Sequence, residues 1–262
     1  MTALLAGNAA EAGAGPDETA AGAAPAASTG DRRGKPRFEP DHAHEIAIGP
    51  HEGLVLGAEV LVPHDAQGIV VFAHGSGSSR KSPRNQAVAR AFNRAGYATL
   101  LFDLLTPSEE RVRANVFDIR LLGSRLFAAS AWVASDGELG KLPLAFFGAS
   151  TGAAAALTAA AELGDRVRAV ISRGGRPDLA LRLGAVRAPT LLIVGGADDH
   201  VLELNRDARR QLRCANELAV VPGATHLFEE PGALEQVARM AIDWLARHLQ
   251  AESKPSASAA RA

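Results

Sequence analysis

The pentapeptide Gly-Ala-Ser-Thr-Gly at residues 148–152 constrains the fold more than any other stretch of the chain. It follows the apolar run 142–147, which is typical of a buried strand. It precedes the alanine-rich run 153–163, which is typical of a helix and ends at Gly164. A serine in a Gly-x-Ser-x-Gly turn between strand and helix has the context of a nucleophile elbow. Small neighbours are needed there, because strand and helix approach closely around a strained serine. Ser150 is thus a candidate nucleophile, although ordinary strand-to-helix turns also contain glycines.

Composition bounds the class of protein. A chain of 262 residues, 47% of them hydrophobic, can form one large α/β domain with a sizeable core. The net charge of −1 gives no electrostatic reason to expect nucleic acid or an anionic membrane as partner. Cys214 is the only cysteine, which excludes an intramolecular disulfide, and no Cys/His cluster has metal-ligand spacing. We therefore expect no metal, no nucleic acid and no membrane partner, and the oligomeric state stays open.

The two ends of the chain differ in composition from the middle. Residues 1–36 are rich in Ala, Gly and Pro and lack apolar periodicity, so we predict a disordered tail there. Residues 251–262 give the same prediction, which leaves one domain over 37–250. No run approaches the roughly 18 apolar residues of a membrane span. The first residues lack a basic region and a long apolar segment, so we expect a cytoplasmic location.

Strand and helix signals alternate through the middle of the chain. Strands are predicted at 44–49, 54–62, 69–73, 97–102, 142–147, 167–172, 190–194 and 217–221, and helices at 84–95, 115–133, 153–163, 202–214 and 234–249. The first two strands, joined by a turn, predict an antiparallel entry. Repeated strand–helix–strand units then predict a mostly parallel, doubly wound sheet with helices on both faces.

A small-residue loop follows the predicted strand 69–73, with the sequence His-Gly-Ser-Gly-Ser-Ser-Arg at 74–80. Such a loop can offer a backbone N–H to a developing oxyanion, beside the N–H of the residue after the nucleophile, here Thr151. We favour Ser76 as the loop donor, with Gly75 and Gly77 as alternatives. A phosphate-cradling loop or a mere turn is the other interpretation, but the P-loop spacing is absent. His74 is expected to brace the loop.

Candidates for an acid and a base lie after two late strands. We prefer Asp198 to Asp199 as the acid that orients a histidine, although both could cap the following helix. Asp103 could also be this acid, but a capping role is more typical. His226 lies between the last strand and the last helix, and it completes the chain order Ser, Asp, His.

These segments resemble the α/β-hydrolase superfamily, and within it the dienelactone-hydrolase-like family. The resemblance covers about residues 44–250 and is strongest at 72–77, 148–152, 192–198 and 223–228. It implies an α/β-hydrolase fold and hydrolysis of esters, or related acyl bonds, of small molecules without a metal or organic cofactor. Dienelactone hydrolases proper use a cysteine nucleophile where this chain has Ser150. Similar domains also occur fused to phosphoribosyltransferase domains, which leaves an accessory role open.

The substrate is less constrained than the chemistry. Only the 17 residues 173–189 separate two predicted strands, too few for a large cap domain. Arg173 and Arg80 could recognise a carboxylate or phosphate on a substrate, although solvated or carboxylate-paired arginines are an equal alternative. The main expectation is a serine carboxylesterase that uses Ser150, His226 and Asp198. The alternatives are a non-catalytic binding or accessory module of the same fold, or an acyltransferase or thioesterase.

Overall fold

One eight-stranded sheet forms the centre of the computed structural model, which describes residues 37–51 and 53–249. The predicted tails at 1–36 and 251–262 lie outside the described residues. The strands are β1 Ala43–His51, β2 Leu54–Leu61, β3 Ile69–Ala73, β4 Ala98–Phe102, β5 Leu144–Ala149, β6 Val167–Arg173, β7 Thr190–Gly195 and β8 Asn216–Val221. Their order across the sheet is β1-β2-β4-β3-β5-β6-β7-β8. Both pairs made by β2 are antiparallel and all the others are parallel, as the sequence predicts.

Seven helices lie within the described residues, and the longer ones cover the two faces of the sheet. They are α1 Pro83–Arg94, α2 Pro107–Glu110, α3 Arg113–Val116, α4 Ile119–Ser135, α5 Thr151–Leu163, α6 Asp199–Gln211 and α7 Ala233–His248. One apolar cluster joins the sheet to α4 and α5, and a second joins it to α1 and α7. The central strands β3, β4 and β5 are buried at every residue, because helices cover both of their faces. The predicted doubly wound α/β-hydrolase fold is confirmed.

The segment between β4 and α4 differs from the prediction. The single helix expected over 115–133 is two helices, α3 and α4, separated at Phe117 and Asp118. Asp118 caps α4, because its carboxylate accepts a 3.0 Å hydrogen bond from the N–H of Leu121. The short helix α2 was not predicted, although Thr106 and Glu109 form a capping box that is visible in the sequence. The apolar periodicity continues across residues 115–133, but the cap at Asp118 starts a new helix within that range.

The link between β6 and β7 contains only two short 3₁₀ turns, Pro177–Leu179 and Leu183–Ala185. No large cap domain stands there, as its length predicts. None of the helices within 37–51 and 53–249 has the length and apolar character of a membrane span. Because β3, β5, β7 and β8 are parallel, their carboxyl ends lie along one edge of the sheet, and the short link leaves that edge open. Binding sites of doubly wound sheets lie at this edge.

Candidate active site

Ser150 lies at the turn between β5 and α5 with φ 51° and ψ −120°, a strained conformation for a residue with a side chain. Its glycine neighbours make this turn sterically allowed. A Cβ on Gly148 would lie 2.4 Å from Cα of Ala153, and one on Gly152 would lie 2.2 Å from the carbonyl oxygen of Ala73. Both glycines of the motif are therefore required by close backbone approach, which agrees with the elbow predicted from the sequence.

The backbone of Ser150 is held by the loop after β6. Its N–H donates to the carbonyl of Arg173 at 3.2 Å, and its carbonyl accepts from the N–H of Arg176 at 3.1 Å. Arg176 is itself held by two hydrogen bonds from its guanidinium group to Asp178, each 2.8 Å long. The strained turn is thus fixed by β6 and its loop as well as by its own helix.

His226 lies between Ser150 and Asp198. The distance from Nε2 of His226 to Oγ of Ser150 is 3.4 Å, and the distance from Nδ1 to Oδ2 of Asp198 is 2.7 Å. The short contact to a carboxylate favours the tautomer with the proton on Nδ1, which leaves Nε2 as an acceptor for the serine hydroxyl. The Ser150 contact is long for an O–H···N hydrogen bond, as is common in sites without substrate. The structure thus brings together the three residues chosen from sequence order.

Asp198, rather than Asp199, carries the carboxylate that reaches His226. Asp198 precedes α6 and also caps it, because Oδ1 accepts from the N–H of Val201 at 3.4 Å. Asp199 is the first residue of the helix and is exposed, as is His200. The two interpretations of Asp198, helix cap and histidine partner, are therefore both correct, since its two oxygens serve different groups.

The loop that carries His226 is packed closely against its neighbours. The N–H and hydroxyl of Thr225 both donate to Oε1 of Glu230, at 3.0 and 2.6 Å. A Cβ on Gly195, at the end of β7, would lie 2.3 Å from the carbonyl oxygen of Ala224. The hydrogen bonds to Glu230 hold the loop after β8 in shape, and the close approach at Gly195 places it against the end of β7, which brings His226 to Asp198.

The oxyanion loop after β3 lies against the elbow, but the Ser76 N–H does not point free into the site. It donates a 2.9 Å hydrogen bond to Oγ1 of Thr151. A Cβ on Gly75 would lie 3.1 Å from Cβ of Ser150, so this loop and the nucleophile are in direct contact. The N–H of Ser76, which the sequence favours as the loop donor, is therefore already bonded in this structure to the buried hydroxyl of Thr151.

His74 braces this loop, as the sequence predicts. Its Nε2 accepts from the N–H of Leu104 at 3.0 Å, and its Nδ1 lies 3.0 Å from the carbonyl oxygen of Gly75. Burial lowers the pKa of His74, so the neutral ring is favoured. The loop after β3 is thereby tied to the loop after β4.

A cavity of about 180 Å³ opens beside the oxyanion loop. Polar groups of the loop and elbow form one side, and apolar side chains the other. Its lining residues are His74, Gly75, Ser76, Gly77, Leu104, Leu105, Glu110, Val116, Leu122 and Thr151. The sequence did not reveal this cavity, because part of its wall comes from α2, α3 and the start of α4. The capping box at Thr106 was the only local signal for that wall.

The two arginines proposed as anion-binding residues differ in their surroundings. Arg80 forms an ion pair with Asp103 and lies 3.3 Å from a carboxylate oxygen of Glu45. Asp103 also accepts from the backbone N–H of Arg80 at 2.8 Å, so it anchors the loop and does not contact His226. Of the two interpretations of Arg80 from the sequence, pairing with protein carboxylates is therefore the one that the structure supports.

Arg173, the last residue of β6, is only 8% exposed. Within residues 37–51 and 53–249, its Nε and Nη1 atoms have no hydrogen-bond partner. Burial lowers its pKa to about 10, and the positive charge of Arg84 acts in the same direction. It is therefore a buried cation without a counter-ion among the residues that the structure describes. Among the described residues, no group of three or more His, Cys, Asp or Glu side chains is placed to hold a metal ion.

Comparison with known proteins finds a solved structure with high sequence identity and another that shares only the fold. No protein-family model matches the chain. The structure of a dienelactone hydrolase from Anabaena variabilis is 49% identical, covers 80% of this chain and 99% of its own, and superimposes with a TM-score of 0.77. A serine hydrolase without a lid from Xanthomonas campestris shares the fold at 23% identity and a TM-score of 0.67, with 83% of this chain and 99% of its own covered.

Two curated proteins from Mycobacterium tuberculosis strains are also similar in sequence. Both are provisionally named as phosphoribosyl transferases, and both are 59% identical over 210 residues, which is 80% of this chain. The chain spans about half of their length, 47%. Their name therefore describes proteins about twice as long as the matched region.

Proposed function

The chain belongs to the dienelactone-hydrolase-like family of α/β-hydrolases, and from that membership we propose that it is a serine hydrolase of small-molecule carboxylic esters or related acyl bonds. The position of His226, between the Ser150 hydroxyl and the Asp198 carboxylate, is the main support. A binding module gains nothing from a base within reach of a strained serine. The same arrangement is what acyl transfer through a covalent intermediate requires.

The first half of the proposed cycle forms an acyl-enzyme. Neutral His226 accepts the Ser150 proton at Nε2 while Oγ attacks the carbonyl carbon of the ester. The carbonyl oxygen becomes an oxyanion, and the carbon becomes tetrahedral. When this intermediate collapses, His226 returns the proton to the leaving alcohol. In the second half, His226 takes a proton from water while the water oxygen attacks the acyl carbon. His226 then gives that proton to Oγ of Ser150 as the acyl–Oγ bond breaks, which releases the acid and restores the Ser150 hydroxyl.

Asp198 supports both halves without changing its own protonation. Its Oδ2 atom accepts from Nδ1 of His226, which fixes the ring orientation and stabilises the imidazolium form. The helix cap made by Oδ1 holds the carboxylate in place. Loss of the orienting carboxylate should therefore reduce turnover much more than it reduces stability.

The oxyanion site is proposed to use the N–H of Thr151 and the N–H of Ser76. The first lies at the start of α5, where the helix dipole favours negative charge. The second becomes available when the Thr151 side chain rotates about its Cα–Cβ bond and releases its hydrogen bond to Ser76. The oxyanion then replaces a neutral acceptor, and each donor is worth about 3 kcal/mol in the transition state.

A fluorophosphonate probe tests the proposed nucleophile and base. Wild type should be labelled covalently, Ser150→Ala should not be labelled, and His226→Ala should react about 100-fold or more slowly. Hydrolysis of p-nitrophenyl acetate should follow the same order. Equal labelling of all three proteins would remove Ser150 from the role of nucleophile. Trapping of the acyl group by an added alcohol or thiol, faster than by water, would favour the acyltransferase alternative.

Phosphoribosyl transfer is not proposed for this chain. The name belongs to relatives of which the chain spans about half, and the hydrolase relative is covered over 99% of its own length. The described residues that meet at the sheet edge are those of acyl transfer. Hydrolysis is therefore the activity to assay first.

A further inference from the structure

We propose that Arg173 and Arg84 form a binding site for an anionic group, a carboxylate or a phosphate, beside Ser150. The anion is either a substituent of the substrate or a free ion, and the experiments below separate the two. The substrate version rests on the proposed function. The binding site itself does not, because it can be measured without turnover.

The backbone of Arg173 lies next to the segments that carry the reacting groups. Its carbonyl accepts from the N–H of Ser150, and Arg173 lies opposite Ala149 in the parallel pairing of β5 and β6. The following residue, Gly174, is so close to the His226 loop that a Cβ there would lie 3.1 Å from the carbonyl oxygen of His226. Arg173 is therefore flanked by the nucleophile on one side and by the base on the other.

The alternation of β6 assigns the side chain of Arg173 to one face of the sheet. Ala169 and Ile171, which share its parity along the strand, belong to the apolar cluster beneath α1 and α7. Arg84 lies in the first turn of α1, and its charge acts on Arg173. Both arginines thus lie on the α1 side of the sheet, near enough for the charge of Arg84 to act on Arg173.

Several buried N–H groups of Arg173 and Arg84 lack a hydrogen-bond acceptor among the described residues. Nε and Nη1 of Arg173 and Nε of Arg84 are buried and, in the part of the chain that the structure describes, bond to nothing. Arg84 has one carboxylate partner, with 2.7 Å between its Nη1 and Oε1 of Glu229. This pair offsets the charge of Arg84 but leaves that of Arg173. A buried cation without a partner is costly, and a buried N–H without an acceptor adds to the cost.

Other arginines of the chain show that pairing is the usual solution. Arg80, Arg125 and Arg176 each contact a carboxylate, although Arg80 and Arg176 are more exposed than Arg173. Arg173 is the exception, and it lies beside Ser150. Costly features such as an unpaired buried charge occur at functional sites, where binding or catalysis needs them. An anion would supply the absent acceptor and the absent negative charge together, through charge-assisted hydrogen bonds.

Binding of free anions tests the site in an inactive background. The melting temperature of Ser150→Ala is measured against inorganic phosphate, succinate and chloride at constant ionic strength. Arg173→Met in the same background removes the site, and Arg187→Met is the matched control, because Arg187 lies in the same link between β6 and β7, is exposed and is paired with Asp165. We expect phosphate or succinate, but not chloride, to raise the melting temperature unless Arg173 is replaced. Arg173→Met without added anion should melt no lower than its parent, since it removes an unpaired buried charge.

Kinetics test the substrate source of the anion. Esters of succinate, which keep a free carboxylate, phosphate-bearing esters and neutral esters of equal chain length are compared in wild type, Arg173→Met and Arg187→Met. For an anionic substituent, Arg173→Met should raise KM for its anionic ester about tenfold or more and leave the neutral ester within about twofold. If an anion raises the melting temperature but Arg173→Met leaves the ester selectivity unchanged, the site binds a free anion. No anion-dependent stabilisation together with unchanged selectivity overturns the proposal, and inactivity of wild type toward all esters would bear on the proposed function alone.

Discussion

The backbone N–H of Ser76 donates a 2.9 Å hydrogen bond to the side-chain oxygen of Thr151, the residue that follows the elbow serine. The contact joins two segments that are 75 positions apart in the sequence. It fastens the loop after β3 to the start of α5, and it occupies a donor that the proposed reaction needs. The Thr151 hydroxyl thus stabilises the site and at the same time occupies the Ser76 N–H that an oxyanion would use.

Thr151→Val should separate these two roles. The variant keeps the shape of the side chain but leaves the buried Ser76 N–H without an acceptor, so unfolding free energy should fall by about 1–3 kcal/mol. Turnover should stay equal or rise, because the Ser76 N–H no longer has a competing partner. Thermal unfolding and kcat for a neutral ester measure the two effects. A tenfold loss of kcat at unchanged stability would instead identify the Thr151 hydroxyl as a donor to the oxyanion.

Asp198→Asn should inactivate the protein without unfolding it. An asparagine can still cap α6, but it favours the wrong tautomer of His226, so kcat should fall by roughly 10³–10⁴-fold. Asp199→Asn is the matched control, since Asp199 is adjacent and exposed and should keep wild-type turnover. If the two variants lost activity equally, the assignment of the acid would be wrong.

Gly152→Ala should prevent the native elbow from forming. The added methyl group would lie 2.2 Å from the carbonyl oxygen of Ala73, a backbone atom of β3 that cannot move aside without disturbing the sheet. We expect a loss of more than about 3 kcal/mol in unfolding free energy, or no folded protein. Gly137→Ala is the comparison, because a Cβ there meets nothing within 4 Å. Equal melting temperatures for the two variants would contradict the close approach.

Acid should destabilise the protein through His74. Burial lowers the pKa of His74 in the folded state, so below its unfolded value near 6.5 the unfolded chain binds a proton that the folded chain does not. Stability should therefore fall as pH falls from about 6.5, and this fall should end once pH passes the folded-state pKa. His74→Gln should show a flatter pH dependence between about pH 7 and 5, measured by urea unfolding. His248 has a pKa shifted in the same direction, so His248→Gln serves as the parallel measurement.

Much of the candidate site followed from the sequence, because parallel strands bring their carboxyl ends to one edge. Ser150, Asp198 and His226 each follow a predicted strand, so the strand order alone predicted that they would meet. The close approach of Gly148 and Gly152 was likewise implied by their small size. Local rules therefore suffice where position along a strand decides the contact.

The remaining features depend on tertiary contacts that no local pattern contains. The sequence left Arg80 and Arg173 equally open to anion binding and to carboxylate pairing, and only the fold shows that Asp103 and Glu45 pair with the first. Likewise, the Ser76–Thr151 hydrogen bond depends on the packing of β3 against β5 and on one side-chain rotamer. The break at Asp118 was missed for another reason, since apolar periodicity continued across a residue that caps a helix.

The short link between β6 and β7 bears on which step limits turnover. With only two single-turn segments there, this link holds no domain that must move aside before substrate enters or product leaves. Enzymes with such covers often turn over at the pace of opening, and their kcat then responds to solvent viscosity. In this protein kcat should instead report the bond-making steps at Ser150, with a solvent deuterium isotope effect and little response to added sucrose.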